Sequence, residues 1–145
     1  MAALRIFYAD DDPDVLLLME LVIEQINPAI ELKLFSERLA LEAGLREAGY
    51  QCDFVILDLN LGSSSGFEIL QKHQQVILEK NLRFVIFTTS RDPLSIKRAF
   101  DLNAVLFVQK PNDIKSLEIT IRRILENKLY KVSPESLNTF FIGAA

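Results

Sequence analysis

The 145-residue chain has one cysteine, one histidine and no tryptophan. A lone cysteine, Cys52, excludes an internal disulfide framework and fits a reducing compartment. With only His73 beside it, no zinc site of the usual kind can be assembled. No Lys/Arg run occurs, and the net charge of −4 with a pI near 5.0 argues against a nucleic-acid face. No apolar stretch approaches the roughly 18 residues of a spanning helix. The N-terminus lacks the basic flank and cleavage site of a secretory signal. No membrane partner is therefore expected, and the default compartment is the cytoplasm. What is present is 50% hydrophobic and 25% charged, the balance of one ordinary soluble domain able to bury its own core.

Short strand-like runs alternate with helix-like segments. Leu4–Ala9 reads as a first strand, and Val15–Ile26 as a helix with apolar residues at 15, 18, 19, 22 and 26. Asn27-Pro28 stops it. Ile30–Phe35, alternating apolar and charged residues, reads as a second strand. Ser36 is placed to cap a second helix ending near Gly49, although Gly44 inside it costs about 1 kcal/mol of propensity. Phe54–Leu57 is a continuous apolar run, the pattern of a strand buried on both faces. Ser65-Gly66-Phe67-Glu68 reads as a capping box opening a third helix to about Glu79. Phe84–Phe87 is a further buried strand, and Asp92-Pro93 opens a fourth helix. Val105–Val108 is a fifth strand. Ile114–Lys128 is a fifth helix, with its stripe at 114, 117, 121, 124 and 125. This alternation predicts an α/β, doubly wound domain with a mainly parallel sheet of five strands and five helices over residues 1–128. Residues 129–145 fall outside it as a C-terminal extension.

The polar residues that interrupt these runs share one address. Asp10 and Asp11 follow the first strand, Asp58 the third, Thr88 the fourth and Lys110 the fifth. In an open α/β sheet, ligands bind in the crevice outside the carboxyl ends of the strands. Two carboxylates at 4 Å repel by roughly 4 kcal/mol at an effective dielectric of about 20, and Lys110 offsets only one unit of charge. The remainder must raise a carboxyl pKa or bind a cation. A compact all-oxygen site suits Mg²⁺, which prefers to share its shell with phosphate. Phosphoryl transfer needs an in-line nucleophile, a metal and donors to the remaining oxygens. Asp58 can be the nucleophile. Asp11, Asp58 and the Asn60 backbone carbonyl can hold the metal, with Asp10 acting directly or through water. The Thr88 hydroxyl and Lys110 ammonium can serve as donors.

Five motifs, Tyr8-Ala9-Asp10-Asp11-Asp12-Pro13, Leu57-Asp58-Leu59-Asn60, Gly66-Phe67-Glu68, Phe87-Thr88-Thr89 and Val108-Gln109-Lys110-Pro111, resemble the receiver domain of two-component response regulators. Each is weak alone, but the set, in this order and spacing across residues 4–128, is specific. The resemblance implies a flavodoxin-like strand order 2-1-3-4-5 and a single-domain, chemotaxis-regulator-like protein. It implies Mg²⁺-dependent phosphorylation of Asp58 by a histidine kinase or histidine phosphotransfer protein, in a signalling protein rather than an enzyme. It also implies a candidate cis peptide at Lys110-Pro111. It adds a switch in which Thr88 is drawn to the phosphoryl group and Phe107, where tyrosine is frequent, swings inward behind it. The helix 4–strand 5–helix 5 face is then expected to contact a downstream protein target through apolar groups alone. The loop Leu61-Gly62-Ser63-Ser64-Ser65 departs from the family's common Met-Pro-Gly and is expected to be more flexible.

Simpler roles compete at several positions. Asp12 caps the first helix, with Pro13 at its first position. Thr89 is the alternative to Thr88 as phosphate donor, and Phe107 is also readable as a core aromatic. His73, mid-helix among polar neighbours, reads as solvated. Leu137, Phe140, Phe141 and Ile142 are too apolar for a disordered end, so the extension is expected to fold back or to form a dimer or docking patch. With too few residues after the fifth helix for an output domain, output is expected by protein contact or phosphorelay. A haloacid-dehalogenase-like phosphatase would need its nucleophile in an Asp-x-Asp motif after the first strand, and turnover surviving Asp58→Asn would favour it. A nucleotide or flavin module would need a Gly- or hydroxyl-rich cradle where three acids stand.

Overall fold

The structure, a computed structural model, describes residues 4–126 and 140–143. In chain order the elements are β1 (Arg5–Ala9), α1 (Pro13–Ile26), β2 (Glu31–Phe35), α2 (Arg38–Glu47), β3 (Phe54–Leu57), β4 (Asn60–Leu61) and β5 (Ser64–Ser65). There follow α3 (Gly66–Lys72), α4 (Gln74–Lys80), β6 (Phe84–Thr88), α5 (Pro93–Asp101), β7 (Leu106–Gln109), α6 (Ile114–Glu126) and β8 (Phe141–Ile142). The main sheet has the order β2-β1-β3-β6-β7-β8, and every pairing in it is parallel. Its first five strands reproduce the expected 2-1-3-4-5 order. The sixth is an addition.

Parallel strands need crossover helices, which cover both sheet faces, so the strand pleat divides the core in two. Phe7, Val55, Leu57 and Ile86 face a cluster with Leu41 and Leu45 of α2 and Ile69 and Leu70 of α3. Ile6, Tyr8, Ile56 and Val85 face the other side, against Met19 and Val22 of α1 and Ile121 and Ile124 of α6. Gly44 lies where the Phe35 ring packs on α2; a β-carbon there would stand 2.6 Å from Phe35 Cζ. The helix gives up propensity for that contact.

Local chemistry fixes most boundaries. Asp12 and Asp92 cap α1 and α5 by accepting from Asp14 N and Leu94 N, each with proline at the first helical turn. Ser65 accepts from Phe67 N. Glu68 does not complete a capping box, because Arg38 Nη1 holds its carboxylate at 2.6 Å. Ser36 is not the α2 cap: Glu37 occupies that position, without a side-chain bond.

The predicted third helix is broken in two at His73, whose φ of −106° and ψ of 18° are not helical. The cause is local competition for carbonyls. Gln74 Nε2 takes the carbonyls of Leu70 and Leu102, so the main-chain ladder is interrupted there. The break turns His73 inward. It is 7% exposed rather than solvated, with Nδ1 2.8 Å from the Ile69 carbonyl and its ring near Tyr50. The loop after Asp58 forms the small antiparallel hairpin β4–β5. No cis peptide is present among the described residues, so Lys110–Pro111 is trans. The predicted end of the last helix at Lys128, the domain boundary there and Leu137 lie outside the described residues. No described helix is long and apolar enough to cross a membrane.

Candidate functional site

The sheet ladder continues one residue past several strand ends, and that continuation positions the site. Asp10 N–H donates to the Phe35 carbonyl at 3.0 Å, Asp58 N–H to Ala9 at 3.0 Å, and Lys110 N–H to Thr88 at 2.7 Å. Three of the expected site side chains therefore leave the sheet from hydrogen-bonded backbone rather than from free loops. They converge. Lys110 Nζ lies 2.6 Å from Asp10 Oδ2 and 2.7 Å from Asp58 Oδ2, bridging two buried carboxylates. Asp11 is exposed and accepts Gly62 N–H at 3.2 Å. One carboxylate oxygen from each of Asp10, Asp11 and Asp58 lies within 4.8 Å of the other two.

Each acid has its own support. Asp10 Oδ2 accepts the Tyr8 hydroxyl at 2.7 Å, and its Oδ1 accepts Asp12 N–H at 3.0 Å. Asp58 Oδ1 accepts Asn60 N–H at 3.2 Å. The Asn60 backbone thus sits at the cluster, while its residue is exposed. Burial raises the Asp58 carboxyl pKa, and the repulsion of Asp10 adds to it; the Lys110 ammonium and the Asn60 N–H oppose the rise without cancelling it. Burial works against the charge of Lys110, but its bonds to Asp10 and Asp58 prevail and hold its pKa above the ordinary value. One ammonium among three carboxylates leaves uncompensated negative charge. That donor set, all oxygen and partly open, fits a hard divalent cation.

Thr88 is buried and Thr89 exposed. Thr88 lines a cleft of about 390 Å³ beside Asp58, together with Asn60, Ser63, Ser65, Glu68 and Ser90. Phe107 is fully buried, with Phe140 and Phe141 of the C-terminal segment against it. Two supports were not read from the sequence. Tyr8 is a buried phenol whose pKa is raised by burial and by Asp10; its alternation with Asp10, two residues on along one strand, is a signal that could have found it. Gly66 approaches the Asp58 carbonyl so closely that no residue spacing would reveal it. Replacing Tyr8 by phenylalanine removes a hydrogen bond to a charged group and should cost about 1.5–3 kcal/mol, read as a lower urea midpoint at unchanged m-value.

An acidic pocket at the carboxyl edge of a 2-1-3-4-5 sheet, closed by a lysine from the last of those strands, defines a class of signalling domain. The chain belongs to the response regulator receiver domain family, whose model matches residues 6–122. It is 30% identical over 105 residues to the transcriptional regulatory protein LytR of Staphylococcus aureus (strain N315), covering 72% of this chain and 38% of LytR. The chain spans less than two-fifths of the length of such curated relatives. The isolated REC domain of RcsB from Salmonella enterica serovar Typhimurium, in the presence of phosphomimetic BeF3−, is similar with a TM-score of 0.71. The identity is 20%, over 97% of this chain and 99% of that one. The Mn²⁺-bound form of response regulator Rcp1 gives 0.73 at 23% identity, over 91% and 99%. Both likenesses are likenesses of fold.

Proposed function

We propose that the chain is a phosphoacceptor receiver that takes a phosphoryl group on Asp58 from a histidine kinase or histidine phosphotransfer protein. The single observation that carries this reading is the Lys110 ammonium bridging Asp10 and Asp58, with Asp11 beside them. In this reading Asp10, Asp11, Asp58 and the Asn60 carbonyl hold Mg²⁺. The ion, when bound, supplies the charge that offsets the acids and the incoming phosphoryl oxygens.

The chain's own groups do the rest. A carboxylate oxygen of Asp58 attacks phosphorus and forms the acyl phosphate O–P bond. The bond between phosphorus and the donor's nitrogen or oxygen breaks, and its electron pair leaves with the donor. Lys110 and the Thr88 hydroxyl then donate to phosphoryl oxygens. Phe107 is the aromatic partner of Thr88 in the switch, packed inward on β7. The α5–β7–α6 face carries the output contact with a downstream protein or a second copy, and onward transfer in a relay uses the same Asp58. The Mn²⁺ in Rcp1 supports a divalent ion at such a site.

The test is chemical. Incubation with acetyl phosphate and Mg²⁺ should add one alkali-labile phosphoryl group, located by mass spectrometry on Asp58. It should be absent without Mg²⁺ and absent in Asp58→Asn. Labelling at any other residue, or none, would sink the proposal.

A further inference from the structure

Phe140-Phe141-Ile142 is an apolar triplet that ends at Gly143. Its last two residues, β8, run parallel to β7, with Phe141 beside Phe107 and Ile142 beside Val108. Phe140 is fully buried and meets the Phe100 ring edge-on, centroids 5.4 Å apart at 80°. The Phe141 ring lies 6.0 Å from that of Phe107 and 5.9 Å from the Arg91 guanidinium. Gly143 lies beside the Gln109 side chain. The segment is thus recognised twice: by the β7 main chain, which reads no sequence, and by an aromatic pocket, which does.

Its attachment is slight where its fit is good. Two residue pairs join β8 to β7, against four between β6 and β7. Segments with few backbone pairs open at lower free energy than the sheet they border. We propose that the outer edge of β7, with the pocket between Phe100 and Phe107, is a docking site for a Phe-Phe-Ile segment whose last two residues are extended. It is filled in cis by the chain's own Phe140–Ile142, which can leave while the rest of the sheet stays folded. The ligand chemistry is a peptide with one buried aromatic anchor followed by two extended apolar residues. This inference does not depend on phosphorylation of Asp58.

Hydrogen exchange on the full chain tests separability. The Phe141 and Ile142 amides should exchange at least roughly tenfold faster than those of β6 and β3. Equal protection overturns the proposal. Recognition is tested with full-length Phe140→Ala and a fluorescent peptide of the sequence of residues 137–143. The variant should bind the peptide about tenfold or more tightly than the wild-type chain, whose site is filled. The same peptide with alanine at the position of Phe140 should bind neither. A folded Phe140→Ala chain that ignores the peptide overturns the proposal, as does a variant that fails to fold, since the segment is then inseparable from the core. Light scattering should give the monomer mass of 16.5 kDa. A dimer that the peptide dissociates would place the segment in trans and overturn the cis assignment.

Discussion

Substituting Lys110 by methionine is expected to cost about 3–5 kcal/mol of stability at pH 7 without divalent cations, because it leaves buried carboxylates without their cation. The side chain is 13% exposed and bonds Asp10 and Asp58 at once, so solvent cannot take its place. The sign with pH is fixed by the shifts. The Lys110 pKa is raised above 10.5, so its contribution is fully present below that value and is lost only as pH rises through the raised one. Asp58 runs the other way. Its pKa is raised above 3.8 in the folded chain, so the native state holds that proton more tightly and stability falls as pH rises through this range. The methionine variant should therefore approach wild type as the pH falls and the carboxyls protonate.

Urea unfolding of Lys110→Met, Asp58→Asn and the double variant separates the parts. Asp58→Asn alone should be more stable than wild type at pH 7 without metal, since it removes a buried like charge. The double variant should recover a large share of the lysine loss. Additive costs in this cycle would show that Lys110 and Asp58 do not act on each other. Millimolar Mg²⁺ should stabilise Lys110→Met more than wild type, because the ion then supplies the only cation in the cluster.

The alternation of apolar runs made the fold legible, because parallel strands buried on both faces read as Phe-Val-Ile-Leu and Phe-Val-Ile-Phe with little ambiguity. The site was legible for a related reason: charged residues at the ends of such runs cannot be explained by packing. What stayed hidden depends on contacts distant in sequence. The break at His73 comes from Gln74 reaching the Leu102 carbonyl. Glu68 leaves its expected partner for Arg38. The sixth strand could not be read because two residues, Phe141–Ile142, carry no periodicity and gain their register only from the β7 edge. Its apolarity was visible; its partner was not.

Gly66→Ala should damage both the fold and the chemistry, without touching any acid. A β-carbon at Gly66 would stand 2.8 Å from the Asp58 carbonyl oxygen, 3.2 Å from Leu59 Cα and 3.3 Å from Leu57 Cδ2. The two nearest neighbours are backbone, which cannot swing aside as a side-chain tip can. Gly66 N–H also donates to the Leu59 carbonyl at 2.9 Å, tying the start of α3 to the same loop. The loop must therefore move outward or the helix must retreat. Overpacking of this kind costs typically 1–3 kcal/mol, read as a lower urea midpoint. Either movement shifts Asp58 relative to Lys110, whose position is set by β7. Misplacement approaching 1 Å at a reacting group costs on the order of 10²-fold in rate. Labelling by acetyl phosphate should accordingly slow by about ten- to a hundredfold in a chain that remains folded at 25 °C. Gln71→Ala, at an exposed position of α3 outside the cleft beside Asp58, controls for substitution in the same helix and should label at close to the wild-type rate. If Gly66→Ala labels as fast as Gln71→Ala, the close approach of α3 to Asp58 has no part in holding that carboxylate.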